Sequence, residues 1–303
     1  MPVRFVTYRN IDKEKWDNCI TQAPNGLIYA YAFYLDAMAR QWDALVLDDY
    51  DAVMPLTWNS KYGIQYLYQP AFTPCLGVFG KDTSPAIVNT FLEAIPSSFR
   101  FWEINLNQHN APEAHGFSIQ QRINYVLDLS PTYEILYEGF RENNRRNAKK
   151  SGQFGNTVQT GISISGILQL AKEQMGRVTN LRESDWQSFE ILYQQLAIQE
   201  KAKTYGVFGK NGDLIASAVF FFSHNRAYYI MVGNHPNGKT LGASHALLNA
   251  FIKDHAGQQL LLDFEGTDIS NLAFFYSGFG AVAESYPAIR LNRLPFYLKW
   301  MKK

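Results

Sequence analysis

TYGVFGKNGDLIASAVFFF (204–222), AYYIMVGN (227–234), LGASHALLNAFIKDHA (241–256) and LLLDFEG (260–266) follow one another closely, and this stretch decides the fold. The first piece is two β-rich runs joined by Lys210-Asn211-Gly212-Asp213, whose Asn-Gly pair suits a type I′ hairpin turn. The second reads as a third strand. In the third, Leu247, Leu248, Phe251 and Ile252 recur at helical spacing, so it reads as a helix. A short apolar strand closes the series. The order is strand, strand, strand, helix, strand.

The first half of the chain runs through the same order. ALVLDDYDAVMPLTW (44–58) is a hairpin with acidic turn residues Asp48, Asp49 and Asp51, and IQYLYQP (64–70) is the third strand. SPAIVNTFLEAI (84–95) is the helix, with Ser84 placed to cap it and Pro85 at its first position. FRFWEINLN (99–107) is the closing strand. Asp51 and Asp213 lie about 160 residues apart, as do Trp102 and Leu261. A repeat that long indicates a duplicated domain; solenoid repeats run roughly 20–50 residues. Helix-like text precedes each copy: DKEKWDNCI (12–20) and YAFYLDAMARQW (31–42), then RESDWQSFEILYQQLAIQ (182–199). The pattern predicts an α+β, layered protein of two tandem domains, 1–130 and 131–303. Each has a mixed, mostly antiparallel central sheet flanked by helices, and the region 286–300 packs back on the first domain.

Composition bounds the function. The chain has 303 residues, 47% of them apolar, 18% charged and 15% aromatic, which supports a real core and excludes a disordered chain. Net charge is +1, so nothing global draws the protein to DNA or to an anionic membrane. No run of 18 apolar residues occurs and the start MPVRFVTYRN has no apolar leader, so no membrane insertion is expected. Two cysteines, Cys19 and Cys75, fit a reducing cytosol and a cytoplasmic location. The six histidines show no ligand spacing, so no metal is expected. Neither a G-x-S-x-G elbow nor a Walker loop is present. Charge is uneven locally: residues 131–303 carry 19 Lys and Arg against 14 Asp and Glu, largely through RENNRRNAKK (141–150). Tyr133, Leu136, Tyr137 and Phe140 make this the basic end of a helix buried on one side.

This plan resembles the GNAT N-acyltransferase fold. NLAFFYSGFGA (271–281) is similar to that family's closing N-x-x-A-x-x-F-Y-x-x-x-G-F helix, with Asn271, Ala273, Phe275, Tyr276 and Phe279 within a residue or so of the matching places. Two such domains in tandem, with Asn144-Arg145-Arg146-Asn147-Ala148-Lys149 opening the second, look like the Fem-type aminoacyl-tRNA-dependent transferases and their uncharacterised GNAT-like relatives. The resemblance implies acyl transfer to an amine. It also implies a pyrophosphate loop of the form Gln/Arg-x-x-Gly-x-Gly/Ala, and here the matching residues are Lys239-Thr240-Leu241-Gly242-Ala243-Ser244. Gly242 fits that pattern, whereas Lys239 and Ser244 depart from it. A glycine and a helix N-terminus suit an anion, and Lys239 adds charge, although the same residues also make an ordinary loop and cap. The first domain has no such loop.

Amide formation needs a neutral amine, a polarised carbonyl and a protonated leaving group. Gly233, at the end of its strand, permits a bulge that turns backbone N–H groups toward a carbonyl. Tyr276 matches the family's general-acid tyrosine; its other reading is a core aromatic. Asp263 and Glu265 share one face of a strand end, as base or amine-binding groups or as turn caps. Arg145 and Arg146 suit donor phosphates or an anionic acceptor, or simply a solvated helix end. Three functions follow. The first is acyl transfer from acyl-CoA to a small-molecule or peptide amine held between the domains, with no tightly bound cofactor. The second is Fem-type transfer from aminoacyl-tRNA, gripped at its acceptor end, to a cell-wall precursor. The third is a non-catalytic binding or scaffold module.

Overall fold

A computed structural model describes residues 2–113, 116–175, 181–266, 269–295 and 298. His115 and positions 296, 297, 299 and 300 of the expected returning stretch lie outside the described residues. The chain divides into two compact units, Met1–Arg122 with Ser285–Lys303, and Ile123–Glu284. The expected boundary at 130/131 thus contrasts with one at 122/123, inside a strand.

The first unit opens with β1 (Val3–Val6), α1 (Lys13–Gln22) and α2 (Ala32–Met38), then β2 (Gln41–Leu47), β3 (Ala52–Lys61) and β4 (Ile64–Tyr68). The short β5 (Phe79–Gly80), α3 (Pro85–Glu93) and β6 (Phe99–Asn105) follow. Asp12 starts α1 by accepting the Lys15 amide at 3.1 Å, a side-chain cap. Ser84 occupies the cap position of α3 with Pro85 at its first residue, but its side chain makes no cap hydrogen bond. The sheet order is β1-β2-β3-β4-β6, with β5 on β3, all antiparallel except the parallel pair β4–β6. The strand beyond β6 is β13 (Val282–Asn292), whose Ala288–Asn292 pair antiparallel with Phe101–Asn105. Val88, Phe91 and Leu92 of α3 bury against Met54, Leu67, Trp102 and Ile289.

The second unit uses β7 (Ser118–Asp128), then α4 (Tyr133–Glu138), α5 (Glu142–Gln153), β8 (Thr157–Thr160), α6 (Ile164–Met175) and α7 (Glu183–Ile198). Next come β9 (Ala202–Phe208), β10 (Leu214–Ser223), β11 (Arg226–Asn234), α8 (Pro236–Thr240), α9 (Ala243–His255), β12 (Leu261–Asp263) and α10 (Ser270–Ser277). The order β8-β9-β10-β11-β12-β7 repeats the pairing sense of the first unit: three antiparallel pairs, the parallel pair β11–β12, then an antiparallel one. The strand closing each sheet comes from a different place in the chain: β13 is the last strand, whereas β7 precedes all others of its unit. Leu247, Leu248, Phe251 and Ile252 of α9 are fully buried on the sheet, and the Phe251 ring stacks on Phe220 at 3.7 Å between centroids.

Two local expectations change. A type I′ turn needs positive φ at both Asn211 and Gly212, yet only Gly212 has it (+81°). The amide of Gly212 bonds the Gly209 carbonyl and the register shifts between Leu214 and Ala216, so the hairpin is a longer loop followed by a bulge. The single helix read from Tyr133 through the basic run breaks at Gly139, which caps α4; α5 starts afresh after Arg141, whose amide bonds the Gly278 carbonyl at 2.8 Å.

Candidate active site

Strands β11 and β12 pair only from Arg226 with Leu261 to Tyr228 with Asp263. Beyond that point β11 continues to Asn234 while β12 has ended, so the two part. A register shift against β10 leaves Ile230 as the extra residue on β11 at the place of parting. The bulge expected at Gly233 therefore sits three residues earlier. Gly233 answers a different demand: a Cβ there would come within 2.9 Å of the Ala171 amide nitrogen on α6 and of the Ser217 hydroxyl.

Tyr276 lies beside this parting. Its ring stacks on Phe264, 4.5 Å between centroids and 23° between planes, and meets Tyr229 edge-on at 6.4 Å. Burial and then the Glu265 carboxylate push its phenol well above the ordinary range, so it stays protonated at any physiological pH. Burial does the same to Tyr229, with Tyr276 adding to it. Glu265 sits in left-handed backbone, φ +68°, an unusual conformation for a side chain of its size. The structure thus brings two of the three expected catalytic residues together, Tyr276 and Glu265.

Asp263 is occupied otherwise. It is buried and holds the Arg226 guanidinium at 2.5 Å. Its other oxygen accepts the Asn124 side-chain amide and the Glu265 backbone amide, each at 2.8 Å. Arg226 also reaches Glu284 at 3.4 Å. A carboxylate with this many partners serves as a structural anion and is not a free base.

The expected donor residues surround the start of α9. Lys239 is exposed at the end of α8, the Thr240 carbonyl accepts Lys150 at 2.9 Å, and half-buried Leu241 ends α8. Gly242 is left-handed (φ +72°), and no side chain caps the helix it opens. The bare face of Gly242 is filled: a Cβ there would lie 2.3 Å from the Asn147 carbonyl oxygen of α5. Ser244 donates to the Asn234 side-chain oxygen at 2.5 Å, joining α9 to the end of β11.

Helix α5 is the keystone between these parts. Fully buried Asn144 donates to the Phe275 carbonyl at 3.1 Å and lies against Gly278, where a Cβ would meet its amide oxygen at 2.3 Å. The two stretches singled out in the sequence, N-R-R-N and F-Y-x-G-F, therefore interlock through an asparagine and a glycine. Arg146 is exposed and bonds Asn143 at 3.0 Å. Arg145 makes no side-chain hydrogen bond or ion pair among the described residues. His245, in the first turn of α9, packs edge-on against Phe275 at 4.8 Å, and burial lowers its pKa to about 4. Sequence reasoning missed His245, Asn124 and Arg226. The one available signal was a polar residue inside an otherwise apolar run, as with Asn124 in INYVL. No three acids, histidines or cysteines among the described residues are grouped to hold a metal. None of the described helices is long and apolar enough to cross a membrane.

This arrangement, three antiparallel strands, a helix, and a following strand that parts from its parallel neighbour, is a GNAT-like, Fem-like fold. Among solved structures it is similar to FemX, with TM-score 0.66 at 13% identity over 96% of this chain and 98% of that one. It is also similar to L-PGS from Bacillus licheniformis, with TM-score 0.55 at 11% identity over 96% and 95% of the two chains. A C-terminal domain assigned to a lysylphosphatidylglycerol synthetase of Agrobacterium fabrum gives 0.57 at 10% identity over 93% and 92%. At these identities the likeness is one of fold. No protein-family description and no curated protein matches the sequence.

Proposed function

We propose that the protein is an acyltransferase that moves an aminoacyl group from an activated ester onto an amine, with its chemistry at the parting of β11 and β12. The observation that carries the reading is the buried Tyr276 phenol, stacked on Phe264 beside that parting and kept protonated by its burial and then by the charge of the Glu265 carboxylate. The attacking amine forms the new C–N bond and gives its proton to Glu265. As the C–O bond breaks, Tyr276 donates its proton to the leaving oxygen. The strand bulge at Ile230 supplies backbone N–H groups for the carbonyl oxygen.

Two observations bear on the donor. The carbonyl of Asn147 fills the bare face of Gly242, and an acceptor oxygen there repels the pyrophosphate of an acyl-CoA. The basic residues of α5, Arg145 and Arg146 among them, suit the acceptor end of an aminoacyl-tRNA. Acyl-CoA is the second reading, supported by the uncapped first-turn amides of α9 and by exposed Lys239.

Calorimetric and thermal-shift titration with an aminoacylated minihelix analogue and with acetyl-CoA separates the two donors. Binding at one hundred times the dissociation constant stabilises by about 2.7 kcal/mol. Tyr276→Phe is expected to bind the preferred donor normally and to slow transfer by roughly 10²–10⁴-fold. Absence of binding by either donor, or an unaltered rate in Tyr276→Phe, refutes the proposal.

A further inference from the structure

Glu265 does not hold its place through its own side chain alone. Its backbone is left-handed, and Gly266 after it is left-handed too, φ +79°. Two consecutive left-handed residues at a strand end need hydrogen bonds to fix them, because for a glutamate the conformation is unfavourable. Those bonds converge on Asn124 of the neighbouring strand β7. Its side-chain oxygen accepts the Gly266 amide at 2.6 Å and the Tyr125 amide at 2.7 Å. With the oxygen so engaged, the side-chain nitrogen faces the other way and donates to Asp263 at 2.8 Å. The same Asp263 oxygen accepts the Glu265 amide at 2.8 Å, and Arg226 holds the second oxygen. One buried amide thus grips both successive amides of the turn, one directly and one through Asp263.

We infer that Asn124 is a positioning residue: with Asp263 and Arg226 it clamps the turn at the end of β12 so that the Glu265 carboxylate is held toward Tyr276. The inference rests on the functional reading above for the purpose of the clamp, but the clamp has a signature that needs no substrate. The Asn residue type is required because one side chain must accept from two amides and donate to a carboxylate. Aspartate lacks the donor and sets a second negative charge on Asp263; alanine lacks both.

A fluorinated tyrosine placed at position 276 reports the Glu265 charge through the pH midpoint of its fluorine NMR shift. Glu265→Gln is expected to move that midpoint downward. Asn124→Ala is expected to move it downward as well, by up to the same amount, because the released turn lets the carboxylate go. Asn124→Ala combined with Glu265→Gln is expected to move it no further than Glu265→Gln alone. A folded Asn124→Ala protein with an unshifted midpoint overturns the clamp, and so does a double variant in which the two shifts add. If Asn124→Ala does not fold, Asn124→Ser retains an acceptor for one amide and carries the same comparison. The transfer assay is read separately. Midpoint coupling without transfer from any donor refutes the acyltransferase reading and leaves the clamp standing; transfer without coupling refutes the clamp.

Discussion

Gly242→Ala tests the packing of the loop before α9. In the sequence this glycine suits close approach to a phosphate, but in the structure its bare face meets the Asn147 carbonyl. The new methyl group would lie 2.3 Å from that oxygen, a distance that requires the backbone to move, and a tight 3.0 Å from the carbonyl carbon. The residue is also left-handed. The conformation alone disfavours alanine by about 1 kcal/mol, and overpacking against a fixed backbone adds roughly 1–3 kcal/mol. Gly212→Ala is the matched control, since Gly212 has the same backbone hand (φ +81°), lies in the same unit, and has nothing within 4 Å of the added methyl. Urea titration is expected to show about 1 kcal/mol lost in the control and about 2–4 kcal/mol in Gly242→Ala. The thermal midpoint of Gly242→Ala is expected to fall by roughly 4–16 °C for a unit of this size. Equal losses in the two variants refute the close contact with Asn147. They would also restore the open face that a bound pyrophosphate requires.

Three further outcomes follow from the same geometry. Among the described residues, Asp263→Asn leaves the buried Arg226 guanidinium with only the more distant Glu284 carboxylate, and denaturant titration is expected to show a loss of about 3–5 kcal/mol. Arg145→Ala, at a guanidinium without a partner among the described residues, is expected to leave the thermal midpoint unchanged and to weaken donor binding with a shallower salt dependence. Burial lowers His245 from its ordinary 6.5 to about 4, so its unfolded form takes a proton first as the solution is acidified. Its contribution to stability is complete above pH 6.5 and is lost as pH falls toward 4; His245→Phe is expected to flatten that part of the stability–pH curve, and an unchanged slope refutes the assignment.

Much of the architecture is visible in the residues because the strands of the second unit alternate with a helix whose apolar spacing admits one reading. Leu247, Leu248, Phe251 and Ile252 bury as their periodicity demands. Tyr276 and Glu265 could be singled out because both stand at the ends of recognisable elements. The clamp could not. Asn124 and Glu265 are 141 positions apart, and nothing in local spacing reports that β7 lies beside β12. Gly242 misled for the same reason: a glycine states that a neighbour is close without naming it, and its neighbour, like that of Gly278, is on α5. Asp263 looked like a free acid because its partner Arg226 opens another strand.

The origin of the closing strands has a consequence for synthesis. Ile104 pairs with Ile289, about 185 positions further along the chain. At the usual elongation rates of about 5–20 residues per second, β6 waits roughly 10–40 s on the ribosome before its partner is made. During that interval every strand of the second unit emerges, while the first unit exposes an unpaired edge of apolar residues. The half of the protein that is made first is therefore the half that is finished last, and its unpaired edge is where a chaperone would have most to do.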